Sequence, residues 1–318
     1  MKRAILHLGY PKTGTTFLQR QVLRKLDDKF SIITPEYNNL KLKRSKLKSQ
    51  ILSGFVSKEY KRQIDKKDLI LSQEGIILES MRGFKDGIFS PSCFRTSLQG
   101  LRSLCDNFDP KNIEIILYIR RQDELMHSLY AESKTHFFDF SNDIHSLEDY
   151  IDSALKNFDK YGSTGYLYNY NNILFEIRKI FKDCLIHVRF YENLASSKIE
   201  QDFWSDLLGN KLDFPNKKEN QRMLKDGSKE ADAYSIQVPL VQFKNKFFPN
   251  LKFPNFMNSW LRENLRRIVL KEKISIYMTK LQKRTIVKRL SNPNKKFLEN
   301  IGLSEDGARF GYFNKFEI

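Results

Sequence analysis

The chain has 318 residues, is 40% hydrophobic and 29% charged, and carries a net charge of +17 from 55 lysines and arginines against 38 aspartates and glutamates. That length buries a full α/β core. The excess of positive charge favours anionic partners: nucleic acid, an anionic membrane or glycan, or a phosphorylated nucleotide. Three scattered cysteines, Cys93, Cys105 and Cys184, exclude a disulfide framework and a zinc site on spacing alone, and they predict a reducing compartment.

In chain order, Ala4 to Leu8 is a short apolar run, the pattern of a buried parallel strand. Met1-Lys2-Arg3 before it imitates a signal peptide, but the apolar run is too short for one and passes straight into a glycine loop. With no stretch of transmembrane length either, the expected location is cytoplasmic. Gly9 to Gly14 is a loop. Thr15 to Leu26 has helical spacing of Phe17, Leu18, Val22 and Leu26. Lys41 to Lys48 is basic and polar, a surface helix or an ordered excursion, with contact to an anionic acceptor as the alternative to a solvated face. Leu69 to Ser72 is a second strand, followed by Gln73-Glu74. Ser92 to Asn107 is helical. Ile113 to Ile119 is the strongest strand and ends in Arg120-Arg121, with a helix from about Asp123. Tyr166 to Phe181 is helical and Leu185 to Phe190 is a fourth strand.

Strands alternating with helices imply parallel βαβ units. The expected fold is α/β, a three-layer sandwich with a central parallel sheet and a P-loop-like loop. It forms a single domain over 1–318, with a core to about residue 215 and a mainly helical extension from about 216. Beyond Glu219 the strand signal fades. Trp260 to Lys283, with Leu261, Leu265, Ile268, Ile274 and Met278 among basic residues, predicts amphipathic helices that pack on the core or lie against a membrane. No internal repeat is visible.

Ligands of such sheets sit at the carboxyl ends of the strands. The loop Gly9-Tyr10-Pro11-Lys12-Thr13-Gly14-Thr15-Thr16 follows a strand and opens a helix, so backbone N–H groups and the helix dipole can hold an anion. A Walker A loop reads G-x-x-x-x-G-K-[ST]. Here both glycines are present, but Thr15 stands in the lysine position and the lysine comes earlier, as Lys12. The strongest strand ends in arginines where a magnesium-binding carboxylate would serve a kinase.

Tyr10-Pro11-Lys12-Thr13-Gly14-Thr15-Thr16 resembles the 5'-phosphosulfate loop of sulfotransferases that use 3'-phosphoadenosine 5'-phosphosulfate (PAPS), and Phe17-Leu18-Gln19 is similar to their bacterial and carbohydrate-type members. Arg120, with Ser128 eight positions on, resembles the family's 3'-phosphate motif; Arg121 is the competitor for the arginine role. Val188-Arg189-Phe190-Tyr191-Glu192-Asn193-Leu194 is similar to a strand-to-helix segment of the family and reads as structural. The C-terminal glycine-rich motif of small-molecule members is not visible between Ser304 and Gly311.

The resemblance implies transfer of a sulfuryl group from PAPS to an acceptor hydroxyl, of a saccharide or glycolipid, with no metal requirement and no nucleic-acid partner. Pro11, Lys12, Thr13, Gly14, Thr15 and Thr16 would hold the 5'-phosphosulfate, and Arg120 and Ser128 the 3'-phosphate. Lys12 would reach the bridging oxygen. Glu74, at the end of a strand and ionised at neutral pH with an ordinary pKa of about 4.3, is the expected general base, with His136 and His127 behind it. His7, inside the first strand, reads as a satisfied core histidine. The rivals are a P-loop kinase, a nucleotide-binding protein of the same fold without activity, and a basic nucleic-acid binder. The last has no recognisable module.

Overall fold

The structure is a computed structural model. It describes residues 2–10, 12–26, 29–35, 38, 40, 43–64, 67–73, 76–77, 91–136, 147–160, 163–195, 198–209, 211–212, 214, 234–239, 269–274 and 278–313. Pro11 and Glu74 lie outside them, as do most of the residues from 215 to 277.

Five parallel strands form the central sheet: β1 (Ala4–Leu8), β2 (Phe30–Ile33), β3 (Asp68–Ser72), β4 (Ile113–Ile119) and β5 (Leu185–Phe190), in the order β2-β3-β1-β4-β5. β1 is central. It pairs with β3 from Ala4 opposite Leu69, and with β4 from Ala4 opposite Ile113. The connection leaving β1 runs toward β2 on one side, while that leaving β4 runs toward β5 on the other. The two connections therefore diverge at the carboxyl edge between β1 and β4, which is where an open α/β sheet forms its ligand crevice.

Strand side chains alternate between faces, and the core divides accordingly. Ala4, Leu6 and Leu8 belong to one buried cluster with Leu69, Leu71, Ile113, Ile115 and Leu117. Ile5 joins the other with Ile32, Ile70, Ile116 and Tyr118. The first face is covered by helices Arg44–Leu52 (α2), Lys58–Ile64 (α3), Pro91–Leu104 (α4), Gln122–His136 (α5), Leu147–Lys156 (α6) and Tyr170–Ile180 (α7). The second is covered by the helical run Thr15 to Leu26 (α1), with Trp204, Leu207 and Leu208 of a later helix. This is the three-layer arrangement that strands apolar on both faces require.

Two expected helices are less regular than their spacing suggests. The run α1 starts as an α-helix at Thr15–Phe17, widens to a π-helix over Leu18–Val22 and tightens to 3-10 over Leu23–Leu26. The stretch from Tyr166 divides at Asn169, whose side chain accepts from the N–H of Asn172 and caps α7 afresh. Helices Tyr191–Ala195 (α8) and Lys198–Leu208 (α9) follow β5.

The amphipathic helices expected over Trp260 to Lys283 are corrected in part. Tyr234–Pro239 (β6) and Val269–Ile274 (β7) pair antiparallel as a separate two-stranded sheet. Leu270 and Ile274 have the i, i+4 spacing of a helix, so spacing alone misleads here; the β-branched Val269 and Ile274 favour the extended form that the pairing with β6 selects. Helix begins again at Lys280–Asn300 (α10), with a Thr279–Gln282 capping box, and Ser304–Arg309 (α11) follows. Among the described residues no helix is long and apolar enough to cross a membrane. All three cysteines are free.

α2 and α4 cross at Gly100. A Cβ there would lie 2.1 Å from the carbonyl oxygen of Ile51, and backbone cannot yield as a side chain can. Gly100→Ala is expected to cost about 1–3 kcal/mol by overpacking, read by chemical denaturation, with α2 displaced from the sheet. An unchanged midpoint would show that the two helices are not in this contact.

Candidate active site

The loop after β1 is held from within and from outside. Lys12 takes φ of 62° and Gly14 φ of 75°, both left-handed. Glycine tolerates that region; lysine is strained in it, and such strain is kept where surrounding contacts enforce it. The contacts are present. Buried Thr13 donates from Oγ1 to the carbonyl of Tyr10 at 2.6 Å. The hydroxyl of Tyr10 reaches back to the carbonyl of Leu167, and its ring stands edge-on to Tyr170 at 5.3 Å. Thr15 is buried and its Oγ1 has no hydrogen-bond partner. A buried hydroxyl without a partner costs free energy. Thr16 is half-buried.

The second arm comes from β4. Arg120 donates from Nη1 to the carbonyl of Lys12 at 3.0 Å. Its guanidinium lies over the ring of Tyr191 at 4.6 Å, and the hydroxyl of Tyr170 donates to its own carbonyl. Nη2 is 3.6 Å from Glu124. A planar guanidinium held this way keeps further N–H groups for an oxyanion.

Arg121 is differently employed. It forms a two-point pair with buried Asp123, at 2.7 and 2.9 Å, and its Nη1 donates to the carbonyl of Phe310 at 3.4 Å. Its backbone N–H donates to Glu192 at 3.0 Å. The structure thus separates the two arginines: Arg120 faces the loop and Arg121 ties the C-terminal segment to the start of α5. Ser128 sits half-buried in the second turn of α5.

The segment Tyr191 to Leu194, read as structural, borders the site. Tyr191 supports Arg120, and a Cβ on Gly14 would lie 2.3 Å from Leu194 Cδ2. Burial pushes the Glu192 carboxyl above the ordinary range, partly offset by the N–H of Arg121, the hydroxyl of Tyr312 and the charge of Arg120. Sequence reading expected a helical C-terminal extension but not that its helix packs against the start of α5. Gln122 and Asn294 exchange side-chain amide bonds at 2.7 and 3.0 Å, and Asn294 donates to the carbonyl of Tyr312 at 3.0 Å. Lys283 pairs with Glu124 at 2.6 Å. Burial raises the Glu124 pKa, but the Lys283 hydrogen bond and the charges of Lys283, Arg120 and Arg121 outweigh it and hold the carboxyl below its ordinary value. A cavity of about 440 Å³ beside Arg121 is lined by Lys283, Arg284 and Lys288 as well. No spacing rule links residues some 160 positions apart, so only their basic character was visible in sequence.

Beneath the loop, His7 is fully buried, with Nδ1 2.8 Å from Ser72 Oγ and no partner on Nε2. The expected satisfied histidine is satisfied on one nitrogen only. Gln19 donates to the same Ser72 Oγ at 3.0 Å, and the N–H of Gln73 to the carbonyl of His7 at 3.1 Å. These bonds fix the end of β3 against β1 and α1. Glu74, the expected base, is the next residue after Gln73 but falls outside the described residues, as does Pro11. The side chain of His136 is likewise outside them. Among the described residues no cluster of histidine, cysteine or carboxylate could hold a metal ion.

No family model and no curated protein matches the chain. Among solved structures, a sulfotransferase from Alicyclobacillus acidocaldarius is similar, with a TM-score of 0.39 and 15% sequence identity, over 71% of this chain and 88% of that one. A likeness this loose carries no information about chemistry.

Two outcomes follow from this geometry. Gly14→Ala is expected to lose at least the roughly 1–2 kcal/mol that an L-residue spends in the left-handed region; made on a Leu194→Ala background, where the overlap is gone, it should still lose that backbone part, read by denaturation against Leu194→Ala alone. No cost on that background would show that Gly14 is needed for space alone.

Burial lowers the His7 pKa to about 3. An unfolded histidine near 6.5 binds protons between those values while the folded one does not, so His7 stability is present above pH 6.5 and is lost as pH falls. From pH 7 to pH 5 the stability advantage of the protein over its His7→Asn variant should shrink by about 2 kcal/mol. A gap that stays constant would show that His7 is not held neutral.

Proposed function

We propose that this protein transfers a sulfuryl group from PAPS to the hydroxyl of an acceptor, a saccharide or glycolipid. The observation that carries the reading is the bond from Arg120 to the carbonyl of Lys12, which joins the loop after β1 to the arginine after β4 in one anion-binding crevice. Two phosphate-binding arms in contact suit a nucleotide with phosphate on both ends of its ribose. The residues following β4 are arginines, so the crevice offers cations where a kinase reading needs a carboxylate for magnesium.

In this reading the backbone from Pro11 to Thr16 and the hydroxyls of Thr15 and Thr16 take the 5'-phosphosulfate. Arg120 and Ser128 take the 3'-phosphate. The acceptor oxygen attacks sulfur in line; the new S–O bond forms as the bond from sulfur to the 5'-phosphate oxygen breaks. The acceptor proton passes to Glu74, and adenosine 3',5'-bisphosphate leaves. Negative charge gathers on the bridging oxygen, where Lys12 stabilises it. As in phosphoryl transfer, positioning and fixed charge supply most of the rate. The left-handed backbone of Lys12 supports such a role, because the residue is strained in a way that only a fixed placement justifies.

The test is calorimetric titration with adenosine 3',5'-bisphosphate in EDTA, with ADP as the comparison. Binding that needs the 3'-phosphate and weakens at least tenfold in Arg120→Ala is expected, a loss of about 1.4 kcal/mol or more. Lys12→Met should keep most of that affinity and lose sulfuryl transfer by about 100-fold or more, the scale of removing one charge-stabilising donor. Equal or tighter binding of ADP, or a strict need for Mg²⁺, would return the loop to the kinases.

A further inference from the structure

The loop after β1 is bracketed by two buried polar side chains, His7 two residues before Gly9 and Gln19 three residues after Thr16. Both converge on one atom. Ser72 Oγ, at the end of β3, lies 2.8 Å from His7 Nδ1 and accepts from the Gln19 amide at 3.0 Å. The same amide nitrogen donates to the Ser72 carbonyl at 3.3 Å. One residue further on, the N–H of Gln73 carries the pairing with β1 past the strand, to the carbonyl of His7 at 3.1 Å. The entry to the loop and the helix that leaves it are thus both tied to the end of β3.

Packing does not require this connection. An apolar side chain would fill the place of Gln19 without desolvating an amide, as Leu18 and Val22 do beside it. A buried amide is tolerated only where it is hydrogen-bonded, and Ser72 supplies the partners. The backbone departs from the regular helix at the same point. Gln19 stands in the π-helical turn Leu18–Val22, and such turns inside helices are frequent at functional sites. The polar bridge and the widened turn therefore occur together.

Chain order says what the bridge controls. Ser72 comes two residues before Glu74, and successive Cα atoms are about 3.8 Å apart. The anchored chain ends at Gln73, one peptide short of the proposed base. On the other side, Gln19 belongs to the helical run that opens with Thr15 and Thr16 of the donor loop. In-line transfer needs the base within hydrogen-bond reach of the acceptor hydroxyl while that oxygen faces sulfur. We infer that Gln19 and Ser72 are positioning residues for sulfuryl transfer: their bond sets the point from which Glu74 extends at a fixed separation from the donor loop. This rests on the sulfuryl-transfer reading, with Glu74 as its base, and adds to it two residues that act through Glu74.

Water serves as the acceptor in the test. Its oxygen attacks sulfur, its proton passes to Glu74, and sulfate and adenosine 3',5'-bisphosphate leave. Release of the bisphosphate from PAPS by the full chain gives kcat and KM, and calorimetry gives the bisphosphate's affinity. Gln19→Met keeps the side-chain length and loses the amide; Ser72→Ala loses the hydroxyl. Each should lower kcat about tenfold or more, the scale of a small misplacement of a reacting group, with bisphosphate affinity changed less than twofold. Ile286→Val, an ordinary packing loss in the buried face of α10, should keep kcat within twofold. On a Glu74→Gln background, Gln19→Met should cost less than twofold more, because residues acting through one group are not additive. Unchanged kcat in Gln19→Met and Ser72→Ala, an equal loss in Ile286→Val, or the full tenfold loss again on the Glu74→Gln background would overturn the inference. So would a tenfold loss of bisphosphate affinity, which would assign the bridge to donor binding. A Glu74→Gln variant as active as the unsubstituted protein would remove the base, and the inference with it, while the donor site stands. Neither binding of the bisphosphate nor its release from PAPS by the unsubstituted protein would overturn the sulfuryl-transfer reading itself.

Discussion

The pairing of β1 with β4 in the middle of the sheet is the constraint on which the rest depends. From Ala4 opposite Ile113 to Leu8 opposite Leu117, the two strands run in step, and the chain leaves each in the opposite direction. Neither the glycine loop nor Arg120 can make the site alone. A loop with left-handed residues binds an anion weakly if it is free to relax, and an arginine at a strand end is otherwise an exposed charge. The register brings them to hydrogen-bond distance, and the carbonyl of Lys12 becomes the point where they meet. Parallel pairing is possible here because both faces of these strands are covered, one by α1 and α9, the other by α2 to α7 and the C-terminal helix.

Around that contact the polar groups are arranged as a brace. The hydroxyls of Tyr10 and Tyr170 accept no exposed role; each donates to a backbone carbonyl, of Leu167 and Arg120. Glu192 takes the N–H of Arg121 and the hydroxyl of Tyr312, while Asn294 and Gln122 lock α10 to the start of α5. A buried polar network fully joined in this way rigidifies what it surrounds. The C-terminal helix therefore belongs to the site's support even though its residues are far from the loop in sequence.

What could be read from sequence follows from the range of the interactions involved. Ala4 to Leu8 and Ile113 to Ile119 were legible to the residue because a buried parallel strand is apolar nearly throughout, and Leu185 to Phe190 because an edge strand alternates, here with Ile186, Val188 and Phe190 toward the core. The loop was legible because glycine spacing is local. Phe30–Ile33 went unread: four residues flanked by charge do not announce a strand until a neighbour such as Ile70 pairs with Ile32. The π-helical widening of α1 and the break at Asn169 went unread because spacing does not distinguish 3.6 residues per turn from its near relatives. Spacing alone could not show how Arg120 and its competitor Arg121 are employed: Asp123 pairs with Arg121 through both its oxygens, while Arg120 bonds to the loop. The hairpin of β6 and β7 was mistaken for helix because its partner strands are separated by some thirty residues, and pairing at that distance leaves no periodic trace.

The division of positive charge follows from the same topology. An excess of +17 spread evenly would be a solvated surface and nothing more. Here Arg121, Lys283, Arg284 and Lys288 gather on the β4 side of the loop, and Arg44 and Lys48 on the β3 side. The first group is partly neutralised by Asp123 and Glu124, at 2.7 and 2.6 Å from Arg121 and Lys283. The β4-side group therefore braces the C-terminal segment against the start of α5, through Lys283 to Glu124 and Arg121 to the carbonyl of Phe310.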